Sequence, residues 1–413
     1  MEWIGLDLGS TYIKCVLIAP NGSQSAQMEA PPNTSAISSR YEVDAAAYCA
    51  VAEKLLNEHV PANCAGILIS TQMHGYVLSD ETFKAISPYV SWQDDAAIPH
   101  MESFRSRYGE NACKKSGVSL KHNLAMCSLL ARLEEGETIP DGSLFHTLGG
   151  YFIAGLTGRH ACHMTNAAPT GLADVREGQW NRDLLRETKL DVLTFPEIFN
   201  QIIPVGRWRG IPVYPDLGDQ QVCAYGAELT AYESLHISIG TAGLIGALSG
   251  SWREGPWENR PWLTDGLYLR SVSALPGGRD YAALHGFLER LISAASGRKI
   301  DPGLIWEWMS QIPVSDEGVN PASSGNFDFR SHSPEQAVLG VYEQMAIKYK
   351  SAAEKLELPI SRIAFSGGAA AKSDALRKMI ARQFSGTCDQ NTYPIDRGLR
   401  RLCKDLETGG TKK

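Results

Sequence analysis

Near the start of the chain, apolar positions alternate with small or polar ones in two runs. These are Trp3-Ile4-Gly5-Leu6-Asp7-Leu8 and Tyr12-Ile13-Lys14-Cys15-Val16-Leu17-Ile18, divided by Gly9-Ser10-Thr11. Two β-rich runs around a turn of small residues predict a hairpin. Asn21-Gly22 supplies a second turn, leading to a third strand through Gln27 and Glu29. From Asp44 to Glu58 the apolar positions fall at helical spacing, and Ala65 to Ser70 is a short buried strand. The predicted order is therefore three antiparallel strands, a helix and a further strand. A similar order recurs downstream. Leu235 to Ser249 holds two β-like runs around Gly240-Thr241-Ala242-Gly243, a helical pattern runs from Pro334 to Leu356, and the strand Ile363 to Ser366 ends at Gly367-Gly368. The recurrence implies an internal duplication around a central cleft, with domains at 1–230 and 231–413. Between the copies, roughly 85–215 reads as an irregular insertion rich in Gly, Trp, His and Asn.

Composition narrows the function classes. At 413 residues the chain exceeds what one hydrophobic core organises, so two domains are expected. A net charge of −7 without a basic block argues against a nucleic-acid surface. The longest apolar run, Ile237 to Leu248, is broken by Ser238, Gly240, Thr241, Gly243 and Gly246, which argues against a membrane span. Glu2 and Asp7 spoil a signal-peptide pattern, and nine cysteines without a CxxC pair fit a reducing compartment. A cytoplasmic protein is expected. His160-Ala161-Cys162-His163 lacks a distant partner pair and reads as a plain loop rather than a zinc site.

Several turns carry candidate chemistry. Asp7-Leu8-Gly9-Ser10-Thr11 sets a carboxylate at a strand end before a turn that lets backbone N–H groups approach phosphate oxygens, with Lys14 adding positive charge. A carboxylate there holds Mg²⁺ through water. Read alone, the segment is first of all a hairpin turn with a surface acid. Ser238-Ile239-Gly240-Thr241-Ala242-Gly243 repeats the chemistry, and Gly367-Gly368 ends a strand and opens a helical stretch, an arrangement that favours anions. Gly218-Asp219-Gln220-Gln221 follows a Pro/Gly loop and precedes a helix, where an acid serves either as a cap or as a catalytic group.

Taken in order, DLGST at 7–11, QMHG at 72–75, SWQDD at 91–95, the LTG…TNAAPTGLAD stretch at 156–174, GDQQ at 218–221, SIGTAG at 238–243 and SGGAAAKSDALRKMIARQF at 366–384 resemble the FGGY carbohydrate kinases. SWQD, NAA and GDQQ are most similar to sedoheptulokinase- and xylulokinase-like members. The resemblance implies an α/β fold of two ribonuclease-H-like domains, of actin/hexokinase type, flanking a central cleft. It implies ATP and Mg²⁺ as cofactors and a ketose or polyol as substrate. Asp219 maps to the catalytic base and Asp7 to the metal site. Gln72, His74, Trp92, Gln93, Asp94, Asn166 and Gln220 surround the sugar; Gly9, Ser10, Thr11, Gly240, Thr241, Gly278, Gly367 and Gly368 approach the nucleotide. No nucleic-acid or membrane partner is implied, and a homodimer is compatible.

Three departures stand out. Ala96 replaces an arginine common two residues after the Asp of the W-x-D motif. A basic helix, Arg397 to Leu406, stands where the family places an Ala/Gly-rich helix beside the nucleotide, and the stretch 314–335 is short and polar. These leave a second reading: a catalytically impaired, actin-fold sugar-binding regulator.

Overall fold

The computed structural model describes the chain except residues 23, 33–34, 38–39, 230–231, 315–330 and 410–413, so most of the polar stretch at 314–335 lies outside the described residues. The chain forms two compact units. The first is Met1–Val222 with Glu258–Tyr268 and Ile395–Lys413; the second is Cys223–Trp257 with Leu269–Pro394.

In the first unit, β1 (Glu2–Leu8), β2 (Ile13–Ile18), β3 (Gln24–Glu29), β4 (Cys64–Thr71), β5 (Gly206–Trp208) and β6 (Ile211–Gly218) form one sheet in the order β3-β2-β1-β4-β6-β5. β1 pairs antiparallel with β2, Asp7 opposite Lys14, and parallel with β4, Asp7 opposite Ser70. It is buried from Trp3 to Leu8, as a central strand covered on both faces must be. The helix Ala45–His59 starts where Asp44 Oδ1 accepts from Ala47 N at 2.8 Å, and it buries Tyr48, Ala52, Leu55 and Leu56 at helical spacing.

The expected loop before Gly218 is in fact β6, with Pro212 and Pro215 inside it. Proline lacks an N–H, which is why the sequence reads as a loop. Here Pro212 pairs only with the edge strand β5, and Pro215 lies where the ladder to β4 shifts register between Val213 and Asp216. The stretch expected as irregular insertion is likewise ordered. It holds the helices Met101–Tyr108, Ala125–Glu134 and Leu148–Thr157, and a cluster of Phe104, Leu124, Met126, Leu129 and Phe145. The expected loop at His160–His163 is largely a strand, Ala161–His163, paired to Glu197–Phe199. Among the described residues no group of three or more His, Cys, Asp or Glu is arranged to hold a metal.

The second unit repeats the plan. β7 (Ser234–Ile239), β8 (Gly243–Ser249), β9 (Tyr268–Leu275), β10 (Arg362–Ser366) and β11 (Thr387–Thr392) lie in the order β9-β8-β7-β10-β11. β7 pairs antiparallel with β8 and parallel with β10. In both units the third, second, first and fourth strands lie side by side and a further parallel strand, β6 or β11, flanks the fourth, the arrangement of a ribonuclease-H-like domain. Helix Pro334–Lys355, closed by a Ser333/Gln336 capping box, buries Tyr342, Met345 and Tyr349 in a core with Ile237 and Phe365.

A single crossing at 230 was expected, but the chain leaves the first unit at 222 and returns twice. The last return has a packing reason. Helix Ile395–Thr408 buries Ile395, Gly398, Leu399, Leu402 and Cys403, and Leu399 covers Gly5 of β1, where a Cβ would fall 2.9 Å from Leu399 Cδ1. Trp3 Nε1 donates to Glu407 Oε1 at 3.0 Å. The basic helix is therefore part of the first unit's core. Among the described residues no helix is long and apolar enough to cross a membrane.

Candidate active site

The carboxyl ends of the parallel strands β1, β4 and β6 bring the sequence-predicted acids together, where open α/β sheets expose ligand-binding groups. Asp7, near the end of β1, accepts from Ser70 Oγ at 3.2 Å. Burial, and then the charge of Asp219, push its carboxyl up to about 7 against the opposing pull of Lys14. Asp219 is the first residue of the helix Asp219–Gly226 and accepts from Gln220 N at 2.7 Å. Burial raises it to about 6, while the Gln220 N–H and Arg260 pull the other way. The Gly9 carbonyl is held by the Tyr48 hydroxyl at 2.7 Å.

β4 delivers Gln72 and His74. Gln72 N donates to Leu8 O at 3.1 Å, and Gln72 Oε1 is buried without a protein partner. His74 has φ +74°, a strained conformation for a residue bearing a Cβ. The turn is pinned because Gly75 presses on Val90 O and the Tyr89 ring; a Cβ there would lie 2.4 Å from that oxygen. Burial, with Arg260 and Lys121 nearby, lowers His74 to about 3, so its imidazole is neutral, and its Nδ1 has no partner. Gln220 Nε2, Gln93 Oε1 and Asn166 Oδ1 are also buried and unpartnered, while Asn166 Nδ2 donates to Asp216 O at 2.9 Å. Trp92 is half-buried. Unpaired buried polar atoms are costly, and a cluster of them is what a polyhydroxyl ligand satisfies.

Asp94 differs from expectation. Its oxygens accept from Tyr41 N (2.9 Å), Ala96 N (3.2 Å) and Ser128 Oγ (3.4 Å), so it fastens its own loop. Ala96, the departure from the family's arginine, is buried beside it.

Three charged residues absent from the sequence reading complete the constellation. Arg260 donates from Nε and Nη2 to Glu258 Oε2 at 2.9 and 2.8 Å, and from Nη1 to Gln220 Oε1 at 2.5 Å. Lys121 Nζ donates to Glu258 Oε1. Burial favours a protonated Glu258, but Arg260 and Lys121 outweigh it and hold the carboxyl down at about 2. Tyr89, near enough to Asp219 for its hydroxyl to feel that charge, was missed as well. The charged pair in Glu258-Asn259-Arg260, set between tryptophans, is the only signal the sequence offered.

In the second unit the glycine turns converge. Gly278 N donates to Gly240 O at 2.7 Å, and Arg279 N to Thr241 O at 3.1 Å. Gly367 has φ +93°, and a Cβ there would meet the Ile239 backbone at 2.5 Å. Gly240 and Gly368 face open space: the nearest atom to a Cβ on Gly240 is Ala242 O at 3.8 Å, and Gly368 has none within 4 Å. Gly278 opens the 19-residue helix Gly278–Ser296, whose entry is fixed by Asp280 accepting from Gly277 N at 2.9 Å. A helix start lined by approachable backbone favours phosphate. Ser10 is half-buried, and Thr11 and Thr241 are exposed, each in its own unit.

The FGGY family of carbohydrate kinases, N-terminal domain, matches residues 2–226, more than half of the chain. The chain belongs to the FGGY family of carbohydrate kinases. Its similarity to a xylulose kinase from Staphylococcus xylosus is 24% identity over 266 residues, covering 60% of this chain and 55% of that relative. The chain thus spans little more than half of that relative's length. A gluconokinase from Bacillus subtilis (strain 168) is 21% identical over 429 residues, covering 92% of this chain and 82% of the relative. The gluconate kinase structure from Lactobacillus acidophilus superposes with a TM-score of 0.83 at 18% identity, over 100% of this chain and 90% of that one. At such identity the likeness speaks for the FGGY fold, and the names divide between a ketose and a sugar acid.

Proposed function

We propose that this FGGY kinase transfers the γ-phosphate of ATP to a hydroxyl of a ketose or polyol, a xylulose- or sedoheptulose-like ketose above all. The observation that carries the reading is Asp219: a half-buried carboxylate at a strand end, beside buried polar atoms of Gln72, His74 and Gln220 that lack protein partners. With its proton affinity raised to about 6, Asp219 is ionised at neutral pH yet basic enough to take a proton from a hydroxyl. The acceptor oxygen attacks the γ-phosphorus in line, its proton passes to Asp219, and ADP leaves. Gln72, His74, Gln93, Asn166 and Gln220 orient hydroxyls, and Trp92 offers an apolar wall. Backbone amides at Gly9, Ser10 and Thr11, and at Gly240, Thr241, Gly367 and Gly368, receive phosphate oxygens and offset developing charge, while Gly278 fixes the turn through its N–H on Gly240 O.

Magnesium fits Asp7. Its buried carboxylate is drawn toward protonation by burial and by Asp219, as happens where positive charge is lacking, and a lone oxygen donor suits an ion that keeps most of its water. When bound, the ion supplies charge neutralisation at the phosphates.

A coupled ADP-release screen against pentuloses, hexuloses, heptuloses, polyols and gluconate tests the reading. Acceptor-dependent ADP release is expected. ATP consumption indifferent to every acceptor, or none at all, overturns it in favour of a switch ATPase or a non-catalytic regulator.

A further inference from the structure

We infer that Glu258 sets the charge of the acceptor site and makes it select an uncharged polyhydroxyl compound over a sugar acid. The inference rests on the kinase reading above and narrows its substrate class.

Both oxygens of Glu258 are committed. Oε2 takes two N–H groups of Arg260, and Oε1 takes Lys121 Nζ and, at 3.3 Å, Ser119 N. Glu258 and Arg260 are 5% and 4% exposed, so the pair is buried, whereas the Lys121 side chain is 30% exposed. The third face of Arg260 is spent on Gln220 Oε1, which turns the Gln220 amide so that Nε2 is left unpartnered. The cations around His74 therefore already have an anion of their own. A carboxylate ligand would have to compete with Glu258 for them, and would sit near Asp219 as well.

The unpartnered atoms point the same way. Gln72 Oε1 and Asn123 Oδ1, the latter two residues beyond Lys121, are acceptors, and Gln220 Nε2 is a donor. Hydroxyl groups serve both kinds, since each donates and accepts, whereas an ionised carboxylate only accepts. His74, held neutral, adds no charge that a sugar acid could use.

The test compares kcat/KM for xylulose and sedoheptulose with that for gluconate, in the full chain and two variants. For the wild type the better ketose should exceed gluconate by at least about a hundredfold. Glu258→Gln frees Arg260 and Lys121 and should narrow that ratio at least about tenfold, mainly through a lower KM for gluconate. Lys121→Met removes a partly exposed cation while Arg260 still matches Glu258, and should widen the ratio. Because this second variant does not strand a buried cation, it decides the matter if Glu258→Gln fails to fold. Wild-type preference for gluconate, or a ratio unmoved in the folded variants, overturns the inference and leaves the kinase reading intact. ADP release with no acceptor at all overturns the kinase reading instead.

Discussion

Asp219 and Asp216 lie three residues apart around the end of β6 and illustrate two uses of an acid at a strand end. Asp216 is wholly enclosed: Thr147 Oγ1 donates to its Oδ2 at 2.7 Å and His163 N to its Oδ1 at 2.8 Å, and burial raises it from 3.8 to about 7. A carboxyl raised by folding contributes stability that is full below its unfolded value and is lost as pH rises through the folded one. The contribution of Asp216 should therefore be lost between about pH 4 and pH 7, so the melting temperature of Asp216→Asn relative to the wild type should rise across that range, as paired thermal melts will record. A difference between the two proteins that does not change with pH would remove Asp216 as a source of pH dependence. Asp219, by contrast, sits among unsatisfied groups. Asp219→Asn should keep its fold and bind sugar while turnover falls about 10²–10⁴-fold. Since the base acts deprotonated, kcat/KM of the wild type should drop as pH falls through about 6. A variant retaining more than about a tenth of the rate would disprove the assignment.

The elements explain why these groups hold still. Gly240 closes the turn after β7 with open space where a side chain would grow, whereas Gly367 is pressed against the Ile239 backbone at φ +93°. The two glycines should therefore respond differently to substitution. Gly240→Val should fold normally and lose ATP affinity, because the new side chain fills space the phosphates need. Gly367→Val should lose stability outright, since its backbone conformation and its neighbour both exclude a Cβ. Equilibrium nucleotide binding and thermal melts separate the two, and a folded Gly240→Val with unchanged ATP affinity would take that turn out of the site. At the other end of the chain, Leu399→Ala should cost about 2–5 kcal/mol, because Leu399 is fully buried against Gly5 in the centre of the first sheet. Urea unfolding measures it; a loss below about 1 kcal/mol would mean that the helix is not part of that core.

At the scale of the whole molecule, the proposed acceptor groups belong to the first unit and most of the proposed nucleotide turns to the second. Transfer needs both ligands at once, so their binding should be linked, and linkage is reciprocal. Acceptor should tighten a non-hydrolysable ATP analogue by about 5–150-fold, and the analogue should tighten acceptor by the same factor. Calorimetric titration with and without the partner ligand reads the coupling directly, and equal affinities would favour the regulator reading over the kinase.

Much of this was legible in the chain. Alternation at 3–18 and again at 235–249, helical spacing at 44–58 and 334–356, and small-residue turns after each leading strand depend on neighbours close in sequence, where periodicity and turn chemistry act. That locality is why the duplicated plan, and Asp7, Asp219 and Gly240 within it, stood out. Only the tertiary structure decided the rest. β6 became a strand despite Pro212 and Pro215, because a register shift and an edge partner relieved the missing N–H groups. Asp94 took backbone and hydroxyl donors in place of open space. Glu258 and Arg260 arrived beside His74 and Gln220 from a segment some forty residues on from Asp219, and the final helix came back to Gly5 from the far end of the chain. In each case the energy lies in burial and pairing between residues distant in sequence, which no local pattern records.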